Sequence, residues 1–309
     1  MSEISLGSWM TYGNAVENDT AIRTIDKAYE LGINFFDAAN GYNRGEVEKV
    51  VSEALAKYDR TSYVLSTKVY FAMGDGPNDR GLSRKRNMES VHASLKRLKQ
   101  DYVDILFCHR YDVNTPVEET LRAFDDLIRQ GKVLYGGISA WTAVQIKEAM
   151  GLSDRHLFNR FVVNQPQDSM VSHQIEAEVI PTSERHGMGQ VVFSPLAQGL
   201  LTGKYKSPGD IPTGSRAAND KMNFSIKNKL NADTFEKINK IAAFVKKLDV
   251  PMSQLALAWV LRQLNVASAI IGASKPIRWR KTSRPWAMLS PLRCWRRLKP
   301  RCSSSMDSI

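Results

Sequence analysis

Apolar residues along this chain fall into short runs rich in Val, Ile and Phe, and between most of those runs they recur at helical spacing. The runs lie at 4–6, 33–37, 63–68, 102–109, 133–138, 161–165, 190–193 and 269–272. Between them, Ile22, Ile25 and Tyr29 share one helix face, as do Val47, Val50, Val51, Ala54 and Leu55. The same holds for Met88, Val91, Leu95 and Leu98, and for Leu121, Phe124, Leu127 and Ile128. Helices are also predicted from near Thr142 and over 175–186. Two more carry Phe235, Ile238, Ile241, Ala242 and Val245, then Leu255, Ala256, Trp259 and Val260. Thr115-Pro116-Val117-Glu118 predicts a helix start with Thr115 as N-cap, Pro116 first and Glu118 closing a capping box. Strands that alternate with helices pair in parallel, and strands this apolar are covered on both faces. Eight such units predict an α/β fold, a closed (β/α)8 TIM barrel. An open doubly wound sheet would carry a G-x-G-x-x-G turn after its first strand, and none is present.

Composition adds little to this until charge is placed along the chain. The 309 residues are 43% hydrophobic and 24% charged, as in an ordinary globular protein. No apolar run approaches the ~20 residues that span a bilayer. Three cysteines, Cys108, Cys294 and Cys302, form no disulfide framework and no metal-ligand spacing, so a reducing, cytoplasmic setting is expected. The net charge of +11 invites a nucleic-acid or membrane partner. Nine Lys/Arg against Asp307 alone stand at 277–309, however, and account for +8 of that total, so the first 276 residues carry +3. The basicity belongs to a tail. The expected organisation is a barrel at 1–276 and an atypical basic segment at 277–309. From the barrel neither nucleic acid nor membrane is expected as a partner, and oligomeric state stays open.

In a (β/α)8 barrel, chemistry is built where the strands end. Those ends carry Asp37 and, five residues on, Tyr42; then Lys68, His109, Ser139, Gln165, Phe193-Ser194 and Gly272-Ala273-Ser274. Each has a bland reading alone: a turn Asp, a rim Tyr, a solvated Lys, a hydrogen-bonded core His. Together they place an acid, a lysine, a tyrosine and a histidine on one rim with no metal-ligand pattern. A phenol titrates near 10, too high for easy proton donation, and a neighbouring ammonium is expected to lower that value. Lys68 is the expected ammonium, Asp37 its anchor, His109 the donor that polarises a carbonyl, and Tyr42 the proton donor. None of the four can supply hydride, so a nicotinamide is implied.

The sequence resembles the aldo-keto reductase superfamily, NADPH-dependent carbonyl reductases built on a barrel without a Rossmann motif. The likeness runs from about Ser2 to Lys275. It is similar to the branch holding the potassium-channel β subunits and their bacterial relatives through Gly81-Leu82-Ser83-Arg84-Lys85, Asn114-Thr115-Pro116-Val117-Glu118-Glu119-Thr120 and the run from Ser194 to Tyr205. The resemblance places the family's catalytic residues on Asp37, Tyr42, Lys68 and His109; channel subunits have Asn at the last position. It implies NADPH/NADP+ as cofactor and a small carbonyl as substrate. Cofactor contacts carry over to Ser8, Trp9, Asp37, Ser139 and Gln165, to Phe193 as the ring on the nicotinamide, and to Ser194, Pro195, Leu196, Gln198, Lys204 and Arg216 over the pyrophosphate. Gly272 and Ser274 match the start of the adenosine-phosphate site. Trp9, Tyr12, Phe71 and Met73 are expected at an apolar pocket rim, and the loop near Trp141 is expected to shape specificity.

Two departures stand against that pattern. Relatives carry an N-terminal β-hairpin before the first strand that is missing here, with Met1 where an apolar residue is usual, so a truncated or misassigned start is expected. After Pro276, relatives continue into an acidic helix of the type Glu-Gln-Val-Glu-Glu-Asn that grips the 2′-phosphate; here stand Ile277-Arg278-Trp279-Arg280-Lys281. Codons for Val-Glu-Glu, moved by one base, read Trp-Arg-Lys, and codons for Leu-Glu-Glu read Trp-Arg-Arg, as at Trp295-Arg296-Arg297. A frameshifted translation beyond about Pro276 is the expected origin, with weakened NADPH affinity as its consequence. A basic aromatic tail that binds RNA or anionic membrane is the alternative.

Overall fold

The computed structural model describes residues 1–9, 12 and 16–274. The tail at 277–309, with Cys294 and Cys302, lies outside the described residues. Eight parallel strands close into a barrel in sequential order. They are β1 (Ile4–Gly7), β2 (Phe35–Asp37), β3 (Val64–Val69), β4 (Val103–Cys108), β5 (Val133–Ser139), β6 (Val163–Gln165), β7 (Gly189–Phe193) and β8 (Val266–Ile271), with β8 pairing back onto β1. Around them run α1 (Asn18–Glu30), α2 (Glu46–Leu55), α3 (Arg84–Leu98), α4 (Val117–Arg129), α5 (Ala143–His156), α6 (Val179–Arg185), α7 (Ala232–Leu248) and α8 (Met252–Val260). No helix among the described residues is long and apolar enough to cross a membrane.

Strand periodicity decides what reaches the site. Phe35, Ile105, Phe107, Val163, Val191 and Ile270, with Val64 against them, fill the barrel interior. Strand side chains alternate between faces, so the residues two or four positions further along share the inward face: Asp37, Lys68, His109, Gln165, Phe193 and Gly272. Gly137 belongs to that layer because a Cβ there would lie 2.7 Å from the Phe107 ring and 2.8 Å from Val163; two residues on, Ser139 faces inward too. The second, larger core lies between the strands and the helices, where Ile25, Val51, Leu98, Leu121, Ile146 and Leu255 are buried.

Side-chain caps start three of the eight helices among the described residues, α3, α5 and α7. Ser83 caps α3 by accepting from the Arg86 N–H, and Thr142 with Gln145 forms a full capping box on α5. The box expected at Thr115 does not form. Pro116 occupies the cap position with no side-chain bond, and the Thr115 hydroxyl donates instead to Asp112 Oδ2 at 2.8 Å. The competing acceptor wins because Asp112 already organises this loop, taking the N–H groups of Leu82 and Asn114. One helix also starts later than expected: over 175–186 a 3-10 turn at Gln174–Glu176 precedes a short α6 at Val179–Arg185.

Candidate active site

Asp37 and Lys68 form the buried foundation of the strand-end cluster. Lys68 is 0% exposed and Asp37 4%, and Lys68 Nζ lies 2.5 Å from Asp37 Oδ2. The ammonium also donates to the Ala38 carbonyl at 2.7 Å. The other carboxylate oxygen accepts from Ser66 Oγ at 2.7 Å and from Gln165 Nε2 at 3.0 Å. Ser8 donates its N–H and hydroxyl to the Asp37 carbonyl, and the Ser139 hydroxyl donates to the Gln165 carbonyl at 2.8 Å. One hydrogen-bonded layer thus joins β1, β2, β3, β5 and β6. Burial pulls the Lys68 pKa down, and Asp37 opposes that by charge and hydrogen bond.

Tyr42 stands above this layer, with Lys68 Nζ 5.1 Å from the centre of its ring. Asn43 and Arg44 follow it in the left-handed region, at φ 46° and 50°, and Gly45 at φ 91°. Strained backbone of this kind persists where surroundings hold it, and it clusters at functional sites. Here it turns the chain sharply from Tyr42 into α2. His109 meets Tyr42 edge-on at 5.5 Å between ring centres, and Phe71 meets His109 at 4.7 Å. His109 Nδ1 is buried with no hydrogen-bond partner.

Burial, then the charges of Lys68 and Arg110, hold the His109 pKa well below the usual imidazole value, so it is neutral at pH 7. The tyrosine departs from expectation. Its pKa lies well above the ordinary 10, pushed there by burial and then by Asp37, with Arg110 pulling the other way. Lys68 does not lower it because its charge is matched at 2.5 Å by Asp37, so the phenol faces an ion pair and not a lone cation.

Phe193 ends β7 half-buried, and its ring stacks on no other ring among the described residues. Beyond it Ser194, Ala197, Gln198 and Gly199 all take positive φ. Gln198 donates to Ser194 Oγ at 2.8 Å and accepts from Lys229 Nζ at 2.7 Å. Lys204 packs across Gly199, where a Cβ would stand 3.1 Å from its Nζ. Lys229 lies close enough to Arg216 that its pKa falls, through burial first and that like charge second. Pro195 and Leu196 lie in the same turn, and Gly272 and Ser274 directly follow β8. The strand-end residues from Asp37 to Gln165 therefore meet in one connected site, with Ser194, Gln198, Lys204 and Arg216 in a neighbouring loop cluster.

At the rim, Trp9 and Phe71 are exposed at 38% and 41%. Tyr12 is fully buried and belongs to the core, where burial drives its pKa up. Trp141, in the loop between β5 and α5, is likewise buried, edge-on to Tyr111 and Phe161, so its ring forms wall. Lys229 and Asp168 are among the residues that escaped sequence reasoning. Lys229 has no local motif; only the folded loop brings it to Gln198. Asp168 is 0% exposed with both carboxylate oxygens unpartnered, next to Phe193 through a 3.3 Å backbone bond. Burial and then Glu176 push its pKa up to about 7.

A closed parallel barrel with an inward Asp–Lys pair, a Tyr above it and a neutral His at its mouth defines a (β/α)8 protein of the aldo/keto reductase type. The chain belongs to the Aldo/keto reductase family, whose sequence profile matches residues 3–288. It is 41% identical over 278 residues to an Arabidopsis thaliana protein described as "Probable voltage-gated potassium channel subunit beta", covering 89% of this chain and 84% of the relative. A protein of the same description from Oryza sativa subsp. japonica is 40% identical over 278 residues, with the same coverage.

Proposed function

We propose that the protein reduces aldehydes and ketones to alcohols with NADPH. The observation that carries this reading is the buried Asp37–Lys68 pair beneath Tyr42 and a neutral His109. The residues present fit a nicotinamide dinucleotide. Gln165 spends one donor on Asp37 and leaves its amide oxygen for a carboxamide, and the half-buried Phe193 ring leaves a face for a planar ring. Lys204, Arg216 and Lys229 supply positive charge where a pyrophosphate would lie. When bound, that cofactor supplies the hydride.

The chain's own groups handle the oxygen. Neutral His109 donates a hydrogen bond to the carbonyl and aims it at Tyr42. As charge develops on oxygen, Tyr42 gives up its proton. Its raised pKa suits this direction: the proton stays on the phenol until an alkoxide forms, and that oxygen is a stronger base than the phenolate. Asp37 holds Lys68 charged and in place beneath the phenol, and Arg110, whose charge pulls the Tyr42 pKa down, faces the phenolate that forms. One proton from solvent restores Tyr42.

A second reading is a nucleotide-sensing partner subunit with slow or absent turnover, in keeping with relatives described as probable voltage-gated potassium channel β subunits. Following NADPH oxidation over a panel of small aldehydes separates the two. Turnover with saturable kinetics supports the reductase; saturating NADPH with no oxidation on any aldehyde moves the assignment to the second reading.

A further inference from the structure

Three half-buried arginines of this chain each meet a carboxylate: Arg60 with Asp104 at 2.6 Å, Arg97 with Glu48 at 2.6 Å, and Arg262 with Glu176 at 2.8 Å. Arg86 has Asp79 and Glu89 in electrostatic range. Arg110, directly after His109, has none of this. Its guanidinium donates to the His109 carbonyl at 2.5 Å and lies 5.6 Å from the Phe71 ring centre. Among the described residues, the groups that favour its charge are the phenols of Tyr42 and Tyr70, while Lys68 and His109 also lie in its field. The nearby Asp112 is turned away, its carboxylate taken by Leu82, Asn114 and Thr115.

A guanidinium partly withdrawn from water with no anion beside it is costly, and its planar fork is suited to a carboxylate. This one stands where a carbonyl substrate must enter, against Phe71, which lies on His109. Among the described residues the only other cation of the catalytic cluster, Lys68, is matched by Asp37. The mouth therefore carries one uncompensated positive charge.

We propose that Arg110 is the residue that recognises an anionic group on the substrate, so that the favoured substrates are oxo acids: aldehydes or ketones bearing a carboxylate. This rests on the reductase reading, and it names the substrate class for that site. The test compares 4-formylbenzoate with its neutral methyl ester, in wild type and in Arg110→Met. Binding is measured by calorimetry on the NADP+-loaded protein, and kcat/KM with NADPH. A charge-assisted pair at this depth predicts a preference of about 10- to 100-fold for the carboxylate, or about 1.4–2.8 kcal/mol. The preference shrinks with added salt and collapses toward unity in Arg110→Met, with Arg110→Lys between. Equal binding of acid and ester by wild type, or a preference that Arg110→Met leaves intact, overturns the proposal. Preferential binding that depends on Arg110, without turnover of either compound, supports the anion site and overturns only the reductase reading.

Discussion

Replacing Asp37 with Asn tests the foundation of the site through stability. The amide keeps an oxygen for Ser66 and Gln165, but it withdraws the negative charge 2.5 Å from a lysine that is 0% exposed. Removing one partner of a buried pair costs about 3–5 kcal/mol. Deprotonating Lys68 limits the loss: bringing its pKa from ~10.4 in the unfolded chain to below 7 costs about 4.6 kcal/mol at pH 7. The sign of the pH dependence follows. In the variant the folded pKa of Lys68 is depressed, so the unfolded state binds more protons and stability rises with pH, by up to about 1.36 kcal/mol per unit. The penalty of the variant is thus about 3–5 kcal/mol at pH 7 and about 2 kcal/mol smaller by pH 8.5. With an unfolding entropy of about 2.1 cal/mol/K per residue over 309 residues, 4 kcal/mol lowers Tm by about 6 °C. Urea titrations and thermal melts of both proteins across that range measure it. A penalty under about 1 kcal/mol at pH 7, or one that does not fall as pH rises, refutes the argument.

Other outcomes follow from the same geometry. Because His109 is held neutral, kcat/KM should carry no limb near pH ~6.5 that belongs to it; a limb there that vanishes in His109→Asn contradicts this. Asp168 has its folded pKa raised to about 7, so its contribution to stability is fully present below the unfolded value of ~3.9 and is lost as pH rises through about 7. Asp168→Asn should therefore be more stable than wild type at pH 8 by up to about 4 kcal/mol, a gap that closes near pH 4. Urea midpoints that differ by the same amount at both pH values would reject that account of Asp168.

The fold was legible because its two periods are strong. Strand runs ending in Asp37, Lys68, His109 and Gln165 are apolar nearly throughout, as strands covered on both faces are, and in the fold Phe35, Phe107 and Val163 line the barrel interior below the site. The direction of the Tyr42 pKa was not legible. Sequence shows that a lysine and an acid share the rim, but not that Asp37 stands close enough to Lys68 to cancel its field at the phenol. Lys229 and Arg110 were missed for the same reason: whether a cation is partnered depends on contacts between loops, and Asp112, two residues from Arg110, is the partner that sequence proximity suggests and the fold withholds. Thr115 shows the converse, a good capping sequence overruled by a stronger local acceptor.

The most direct test of the central claim is a single turnover. Protein loaded with NADPH is mixed with 4-nitrobenzaldehyde and the loss of nicotinamide absorbance is followed, for wild type and for Tyr42→Phe, with NADPH binding measured separately. The account predicts stoichiometric oxidation by wild type and a rate about 10²- to 10⁴-fold lower in the variant, with NADPH still bound. Wild-type NADPH that persists unoxidised, or a Tyr42→Phe variant that reacts as fast as wild type, contradicts it.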